Sequence, residues 1–179
     1  MNKTQLSAQL VEKLSAQYDS SEMSETERTL LSVTSPNIAG RGFLLYEEFL
    51  KICEWKSVRT KPLVRLNSEA AVLELSKIAF SCSEPLRIQI LTILKGVSVP
   101  TASAILTIWR PDQFTVYDFR VLSALNKLKH QILDKEAVSG AQDSYYQYLD
   151  TAKLLAHDLN VSLRNLDKCL WMFDKYYES

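Results

Sequence analysis

The chain has 179 residues, in which 21 Lys and Arg balance 21 Asp and Glu, so its formal net charge is zero. This length fits one compact domain, or two small lobes that share a core. Electrical neutrality counts against a broad, nonspecific nucleic-acid binder, which is normally basic. It does not exclude a small nucleic-acid-binding surface formed by clustered cations. No stretch approaches 18 consecutive apolar residues, and no long apolar run follows the first six residues, so we expect a cytoplasmic protein that contacts no membrane.

The cysteines and histidines predict no metal site and no cofactor. Cys53, Cys82 and Cys169 are odd in number and far apart in sequence, which argues against a disulfide framework and against a paired zinc motif. We expect them to be buried free thiols in a reducing compartment. His130 and His157 have no carboxylate or thiol neighbours at ligand spacing.

The first third of the chain predicts two helices, a loop and a third helix. Leucines at helical spacing indicate an amphipathic helix over about the first eighteen residues. Ser24 and Glu27 form a capping box that starts the second helix. Residues 35–42, which contain Pro36 and two glycines, predict an ordered loop, and residues 43–57 predict a strong helix.

In the middle third, capping residues and prolines mark the starts of three predicted helices. Asn67 is placed to cap a helix over residues 68–80. Ser83 caps the next helix, which has a proline in its first turn and which Gly96 is expected to stop. Pro100 then opens a helix that runs to about Trp109.

The last third predicts helices over residues 119–128, capped by Asp118, and over about 141–158, after a break at Ser139-Gly140. Ser162 caps a final helix. No strand-length alternation of apolar and polar residues occurs, so we predict an all-α protein of about nine helices. We expect a single domain over residues 1–179, with a core at about 84–128 around which the helices of 1–66 and 139–179 pack.

The stretch from Leu94 to Leu106 carries the strongest functional signal. It indicates a helix, a tight glycine hairpin and a second helix, and an acidic residue, Asp118, follows 22 positions after Gly96 (118 minus 96). Exposed backbone N–H groups at a helix N-terminus form a ready site for a phosphate. A carboxylate beside that site would act on the molecule to which the phosphate belongs.

Two short runs resemble a known family. Leu94-x-Gly96-Val97-Ser98-x-x-Thr101-Ala102 is similar to a helix-hairpin-helix motif. Together with Pro111-x-x-Phe114-x-Val116-x-Asp118, it resembles the helix-hairpin-helix base-excision DNA glycosylase superfamily, in its 8-oxoguanine DNA glycosylase-like branch. The specific likeness covers roughly residues 86–125 of the chain.

The resemblance implies a DNA glycosylase-like helical fold, with duplex DNA as the partner. It implies that the hairpin, at Gly96, Val97, Ser98, Val99 and Thr101, holds a backbone phosphate, and that Asp118 stabilises charge developing on the deoxyribose. Two positions depart from the family pattern. Ser98 stands at the usual second hairpin glycine and predicts a strained or altered hairpin. Pro100 stands where bifunctional members have a lysine, so a Schiff base is excluded and the implied enzyme is monofunctional.

Further candidates come from the cations and aromatic residues outside the hairpin. Between Arg41 and Arg65 lies a cluster of cations that is either a solvated helix edge and loop or a nucleic-acid contact. Within it, Lys56 and Arg59 are candidates for phosphate or base contacts, and Trp55 is a candidate for stacking on a base. Arg120 is a candidate for a phosphate contact or for a surface ion pair.

The sequence therefore predicts a DNA-binding protein of DNA glycosylase fold, with release of a damaged or modified base by a monofunctional N-glycosylase as its candidate activity. Asp118 has a purely structural alternative as a helix cap. The alternative function is a catalytically silent nucleic-acid-binding module, or a subunit of a larger DNA-repair or phage-defence complex in which a protein partner completes the site.

Overall fold

The computed structural model describes residues 6–128 and 142–176, and every regular element within these ranges is helical. The predicted all-α class is confirmed, whereas the glycosylase-like fold and the single domain stay predictions. By contacts the chain forms two compact units, one of Met1–Met23 with Tyr117–Ser179 and the other of Ser24–Val116. None of the described helices is long and apolar enough to cross a membrane.

The helices are named in chain order. A π-helical turn (Leu30–Thr34) joins the second to the third, and a 3-10 turn (Val58–Thr60) precedes the fifth. Their bounds are α1 (Ala8–Ser21), α2 (Glu25–Thr29), α3 (Ser35–Arg41), α4 (Tyr46–Lys56), α5 (Lys61–Val64), α6 (Glu69–Ser81), α7 (Glu84–Leu91), α8 (Val99–Trp109), α9 (Phe119–Lys127), α10 (Gln142–Asp158) and α11 (Leu163–Tyr176).

Helix α11 is the centre of the unit that contains both ends of the described chain. It packs against α1, α9 and α10. Val11 and Leu14 of α1 are fully buried, and the Tyr18 ring meets the Trp171 ring edge-on with centroids 5.4 Å apart. This apolar stripe is the one that the leucine spacing of the first helix predicts.

Helix α8 is the core of the other unit. Every residue of α8 except Pro100 is buried, and the helix packs against α3, α4 and α7. A helix that is apolar on all sides needs neighbours around it, which explains why one buried helix organises this unit. At its C-terminal end Trp109 stacks on Phe80, with ring centroids 4.4 Å apart. Its N-terminal end carries the glycine hairpin.

The predicted loop over residues 35–42 is wrong, because Ser35–Arg41 forms helix α3. Proline has no N–H, and its ring clashes with the carbonyl four residues earlier in an α-helix. Here the π-helical turn widens the helix immediately before Pro36, and the helix then continues. Gly42 ends it in the left-handed conformation, with φ +80°.

Three predicted side-chain caps are confirmed and the others are corrected. Ser83 stands at the N-cap position of α7, but its side chain makes no capping hydrogen bond. The side chains of Ser24, Asp118 and Ser162 each accept a hydrogen bond from the first turn of their helix. Asn67 does not cap α6, because the neighbouring Ser68 accepts from Ala71 N instead. Helix α7 ends at Leu91 rather than at Gly96, and turns fill the interval.

Two of the three thiols are buried as expected. Burial raises the pKa of Cys53 and of Cys169 to about 12, so neither is an activated nucleophile. Cys82 is half-buried, contrary to the expectation. His130 and the break at Ser139-Gly140 lie outside the described residues.

Candidate nucleic-acid interface

The predicted hairpin is a tight turn between α7 and α8. Val97 N donates to Leu94 O at 3.1 Å, and Gly96, the third residue of this turn, has φ +78°. A positive φ at the third position is what glycine supplies in a turn of this kind. The turn therefore needs glycine for its backbone conformation.

Gly96 is also required by a close contact. A Cβ added at Gly96 would lie 2.8 Å from Leu63 Cβ and 3.0 Å from both Val64 Cγ1 and Val64 N. These atoms belong to α5, so the short helix after α4 lies directly against the turn. The turn and α5 thus form one packed surface.

Asn67 holds the turn in place with three hydrogen bonds. Its Oδ1 accepts from Lys95 N at 2.8 Å, and its Nδ2 donates to Lys95 O at 3.0 Å and to Val64 O at 2.8 Å. The position of Asn67 just before α6 predicts a helix cap and gives no indication of this role. The partners are 28 residues apart, and local sequence carries no signal for such a pairing.

Ser98 is in an ordinary extended conformation, with φ −93° and ψ 172°, so the predicted strain at this position is wrong. It is the N-cap residue of α8, and its side chain makes no capping hydrogen bond. Within the described residues, the N–H groups of Ser98 and Val99 donate no hydrogen bond. Ser98 is an exposed residue, whereas Val99 is buried.

The other predicted hairpin residues, apart from the glycine, are buried. Val97 and Val99 are each 6 % exposed, and Thr101 is 2 % exposed. They form part of the core beneath the turn. Any contact of these three residues with DNA would therefore be made through the main chain.

The cation cluster before the hairpin is partly neutralised. Arg41 pairs with Glu48, and Lys61 Nζ and Arg65 Nη2 share Glu54, at 3.2 Å and 3.3 Å. Burial acts to raise the pKa of Glu54, but hydrogen bonds and charge from its two partners outweigh it, and that pKa lies below its usual value.

Three predicted contact residues lie at the end of α4 and just after it. Trp55 and Lys56 are half-buried in the last turn of α4. Arg59 is exposed on the 3-10 turn, and its guanidinium makes no ion pair within the described chain. The connection that carries Arg59 reaches the hairpin through Leu63, Val64 and Asn67. Arg59 therefore places an unpaired cation on the segment that supports the turn.

Asp118 caps α9, as predicted, with Oδ1 accepting from Arg120 N at 3.0 Å. The side chain is half-buried. It belongs to the unit that begins again at Tyr117, whereas the hairpin belongs to Ser24–Val116.

Arg120 makes the ion pair that was one of its two predicted roles. Its Nη1 lies 3.5 Å from Asp174 Oδ2, while Lys127 Nζ lies 3.0 Å from Asp174 Oδ1. Its guanidinium carbon also lies 5.4 Å from the centre of the Trp171 ring. Burial acts to raise the pKa of Asp174, but Ser123, Lys127 and Arg120 together hold that pKa below its usual value. A phosphate contact by Arg120 stays a prediction.

No protein-family model matches this chain, and comparison with curated proteins and with solved structures finds no match. The site is thus defined by its own geometry: a glycine turn with free N–H donors, an asparagine that holds it and an unpaired arginine on the supporting segment. Across residues 6–128 and 142–176 no cluster of His, Cys, Asp or Glu is placed to hold a metal ion.

Replacement of Gly96 by alanine will destabilise the protein more than the same change at Gly42. Both glycines have a positive φ, but only Gly96 lacks space for a Cβ. We expect Gly42→Ala to cost about 1 kcal/mol and Gly96→Ala about 3 kcal/mol or more in the free energy of unfolding, measured by urea denaturation. Equal losses would show that α5 does not press against the turn.

Removal of the Asn67 side chain will loosen the turn. We expect Asn67→Ala to lower the free energy of unfolding by about 2 kcal/mol, because three hydrogen bonds are lost and the groups are partly exposed. The matched control is Asn37→Ala on the exposed face of α3, where a change below about 0.5 kcal/mol is expected. Similar losses in the two variants would contradict the role of Asn67.

Proposed function

We propose that this protein binds the phosphate backbone of duplex DNA at the turn between α7 and α8. The observation that carries the proposal is the pair of unused N–H donors, at the exposed Ser98 and at Val99 beside it, at the start of an eleven-residue helix. Backbone N–H groups and the positive end of a helix dipole together favour a phosphate oxygen. The resemblance to the helix-hairpin-helix motif supports the same assignment.

The charges near the turn support a small footprint. Arg59 and Lys95 are both exposed, and neither makes an ion pair within the described residues. Arg41, Lys61 and Arg65 are paired with Glu48 or Glu54. Few phosphates would be contacted, so the affinity should fall with salt less steeply than for a strongly basic protein.

For the chemistry, we assign Asp118 the role that the resemblance implies. As the bond between the base and C1′ breaks, its electron pair leaves with the base, and the carboxylate stabilises the positive charge that develops on the sugar. Water then adds to C1′, and its proton goes to the departing base. Pro100 has no amine, so no covalent imine forms and the DNA strand stays intact. The enzyme is then a monofunctional N-glycosylase.

A silent nucleic-acid-binding module is the second candidate. It is favoured by the hydrogen bond that Asp118 already makes as a helix cap and by the ion pair of Arg120 with Asp174. Both groups have structural roles that need no reaction. In that case the protein binds DNA alone or within a larger complex and releases no base.

Introduction of a negative charge at Ser98 will weaken DNA binding without weakening the fold. Aspartate is as good an N-cap as serine and suits the helix dipole, so Ser98→Asp should keep or raise the melting temperature. The new carboxylate repels a phosphate at the adjacent N–H groups. We expect at least about a tenfold rise in Kd for a fluorescein-labelled duplex at about 50 mM salt, measured by anisotropy.

Ser83→Asp is the matched control. Ser83 is also an exposed N-cap serine, two residues before a proline, and it too makes no side-chain capping hydrogen bond. Its variant should bind DNA within about twofold of the unchanged protein. If the two variants bind alike, or if the unchanged protein binds no duplex at low salt, the proposed interface is wrong.

Replacement of Asp118 by asparagine will separate capping from catalysis. Asparagine caps a helix about as well as aspartate, so the fold should persist, but the negative charge is lost. Duplexes that each carry one modified base, such as 8-oxoguanine, are incubated with protein and then treated with alkali to cleave abasic sites. We expect Asp118→Asn to slow base release by about a hundredfold or more, and Asp112→Asn, an exposed aspartate nearby in sequence, to leave it unchanged.

The outcomes distinguish the two candidates. Base release that survives Asp118→Asn in a folded protein removes Asp118 from the mechanism. Strand cleavage without alkali would contradict the monofunctional assignment. DNA binding with no release from any duplex would establish the silent module instead.

A further inference from the structure

Three exposed aliphatic side chains lie on the two segments that meet at the hairpin turn. Leu63 of α5 is 53 % exposed, Leu66 shortly after it is 60 % exposed, and Ile93, ahead of the turn, is 66 % exposed. We call these three residues the apolar rim. Apolar residues that are exposed singly are ordinary, so it is the position of the rim beside a polar site that needs an explanation.

The apolar rim adjoins the turn that precedes α8. A Cβ added at Gly96 would lie 2.8 Å from Leu63 Cβ, so the base of the Leu63 side chain is packed on the turn. Leu66 N donates to Leu63 O at 3.0 Å, and Ile93 lies three residues before Gly96 in the chain. Gly96 and Ser98 are two residues apart, so their Cα atoms are separated by at most about 7 Å. A sugar next to a phosphate at Ser98 N–H is therefore within reach of the rim.

The segments that carry the rim are cationic, although the whole chain is neutral. Residues 57–68 and 92–100 contain four Lys and Arg residues and no acidic residue. Two of these cations share Glu54 of α4. The other two, Arg59 and Lys95, are exposed and make no ion pair within the described residues. The surface around the rim therefore complements a polyanion, and a polyanion that also presents apolar groups fits it best.

A DNA strand presents apolar groups at its sugars. Carbon C2′ of deoxyribose carries only hydrogen, whereas ribose carries a 2′-hydroxyl, the group by which a protein distinguishes RNA from DNA at a given site. A hydroxyl that is pressed against aliphatic side chains loses its hydrogen bond to water and gains no other. Leucine and isoleucine side chains offer neither a donor nor an acceptor to replace it.

We propose that the apolar rim contacts the sugars of the strand held at the turn and selects deoxyribose over ribose. The inference rests on the proposed function, because it needs a phosphate at Ser98 N–H. Leu63, Leu66 and Ile93 are then specificity-determining residues. The turn binds the phosphate, which DNA and RNA share, and the rim disfavours the hydroxyl, by which they differ. Because the rim is uncharged, its contribution to the affinity does not depend on salt.

The test compares a DNA duplex and an RNA duplex of the same sequence, each labelled with fluorescein, by anisotropy at about 50 mM salt. We expect the unchanged protein to bind the DNA duplex at least about tenfold more tightly than the RNA duplex. Equal affinities that Ser98→Asp lowers alike would leave phosphate binding at the turn in place and overturn the role of the rim. Binding of neither duplex would refute the proposed function and this inference with it.

Leu66→Ser tests the rim, with Ile78→Ser as its matched control. Both residues are exposed aliphatics, at 60 % and 49 %, and Ile78 lies about 14 Å along α6 from the start of that helix. Leu66→Ser should weaken DNA binding by about fivefold and leave the slope of log Kd against log salt unchanged, because an apolar contact releases no counterions. Its RNA affinity should stay within about twofold, since serine can bond to a ribose hydroxyl. Ile78→Ser should change neither affinity.

The double variant Leu63→Ser/Ile93→Ser removes the rest of the rim and keeps the Cβ that packs on Gly96. It should bring the DNA and RNA affinities within about threefold of each other. Unchanged affinities in these variants, with a folded circular dichroism spectrum, would overturn the proposal. Flotation with phosphatidylserine vesicles is the last arm. Vesicle binding that the rim variants abolish while their DNA affinity stays unchanged would assign the rim to a membrane and overturn the proposal as well.

Discussion

The close contact between the backbone at Gly96 and helix α5 fixes the shape of the turn on which the proposed DNA contact depends. No side chain fits between Gly96 and Val64, and Asn67 bonds to the main chain on both sides of that contact. The turn is therefore held from below by packing and from one edge by hydrogen bonds. The support uses the main-chain groups of Lys95 and Val64 and not the N–H groups of Ser98 and Val99, which donate no hydrogen bond within the described residues.

The buried helix α8 extends this constraint into the core. A helix with nearly all of its residues buried cannot shift along its axis without disturbing α3, α4 and α7 together. Its first turn is thus placed accurately, and the position of Ser98 follows from it. A binding site made of main-chain groups needs this rigidity, since it has no long side chain that adjusts to a ligand.

Local sequence was sufficient for features that short-range chemistry decides. The cap at Asp118, the turn at Gly96 and the start of α8 near Pro100 all follow from residue types within one helical turn. The π-helical turn was missed because Pro36 normally signals an end to a helix, whereas here the widened turn before it lets the helix continue. The role of Asn67 was missed because its partner is 28 residues away.

The three hydrogen bonds of Asn67 impose a fixed chain length on the connection between α5 and α6. Val64 and Asn67 are three residues apart, and the same amide group that bonds to Val64 O must also reach Lys95. An insertion or deletion within this interval would carry the amide away from one partner or the other. Surface loops usually tolerate such changes, but here the hydrogen bonds of Asn67 require this spacing. Natural variation in length should therefore fall elsewhere in the chain.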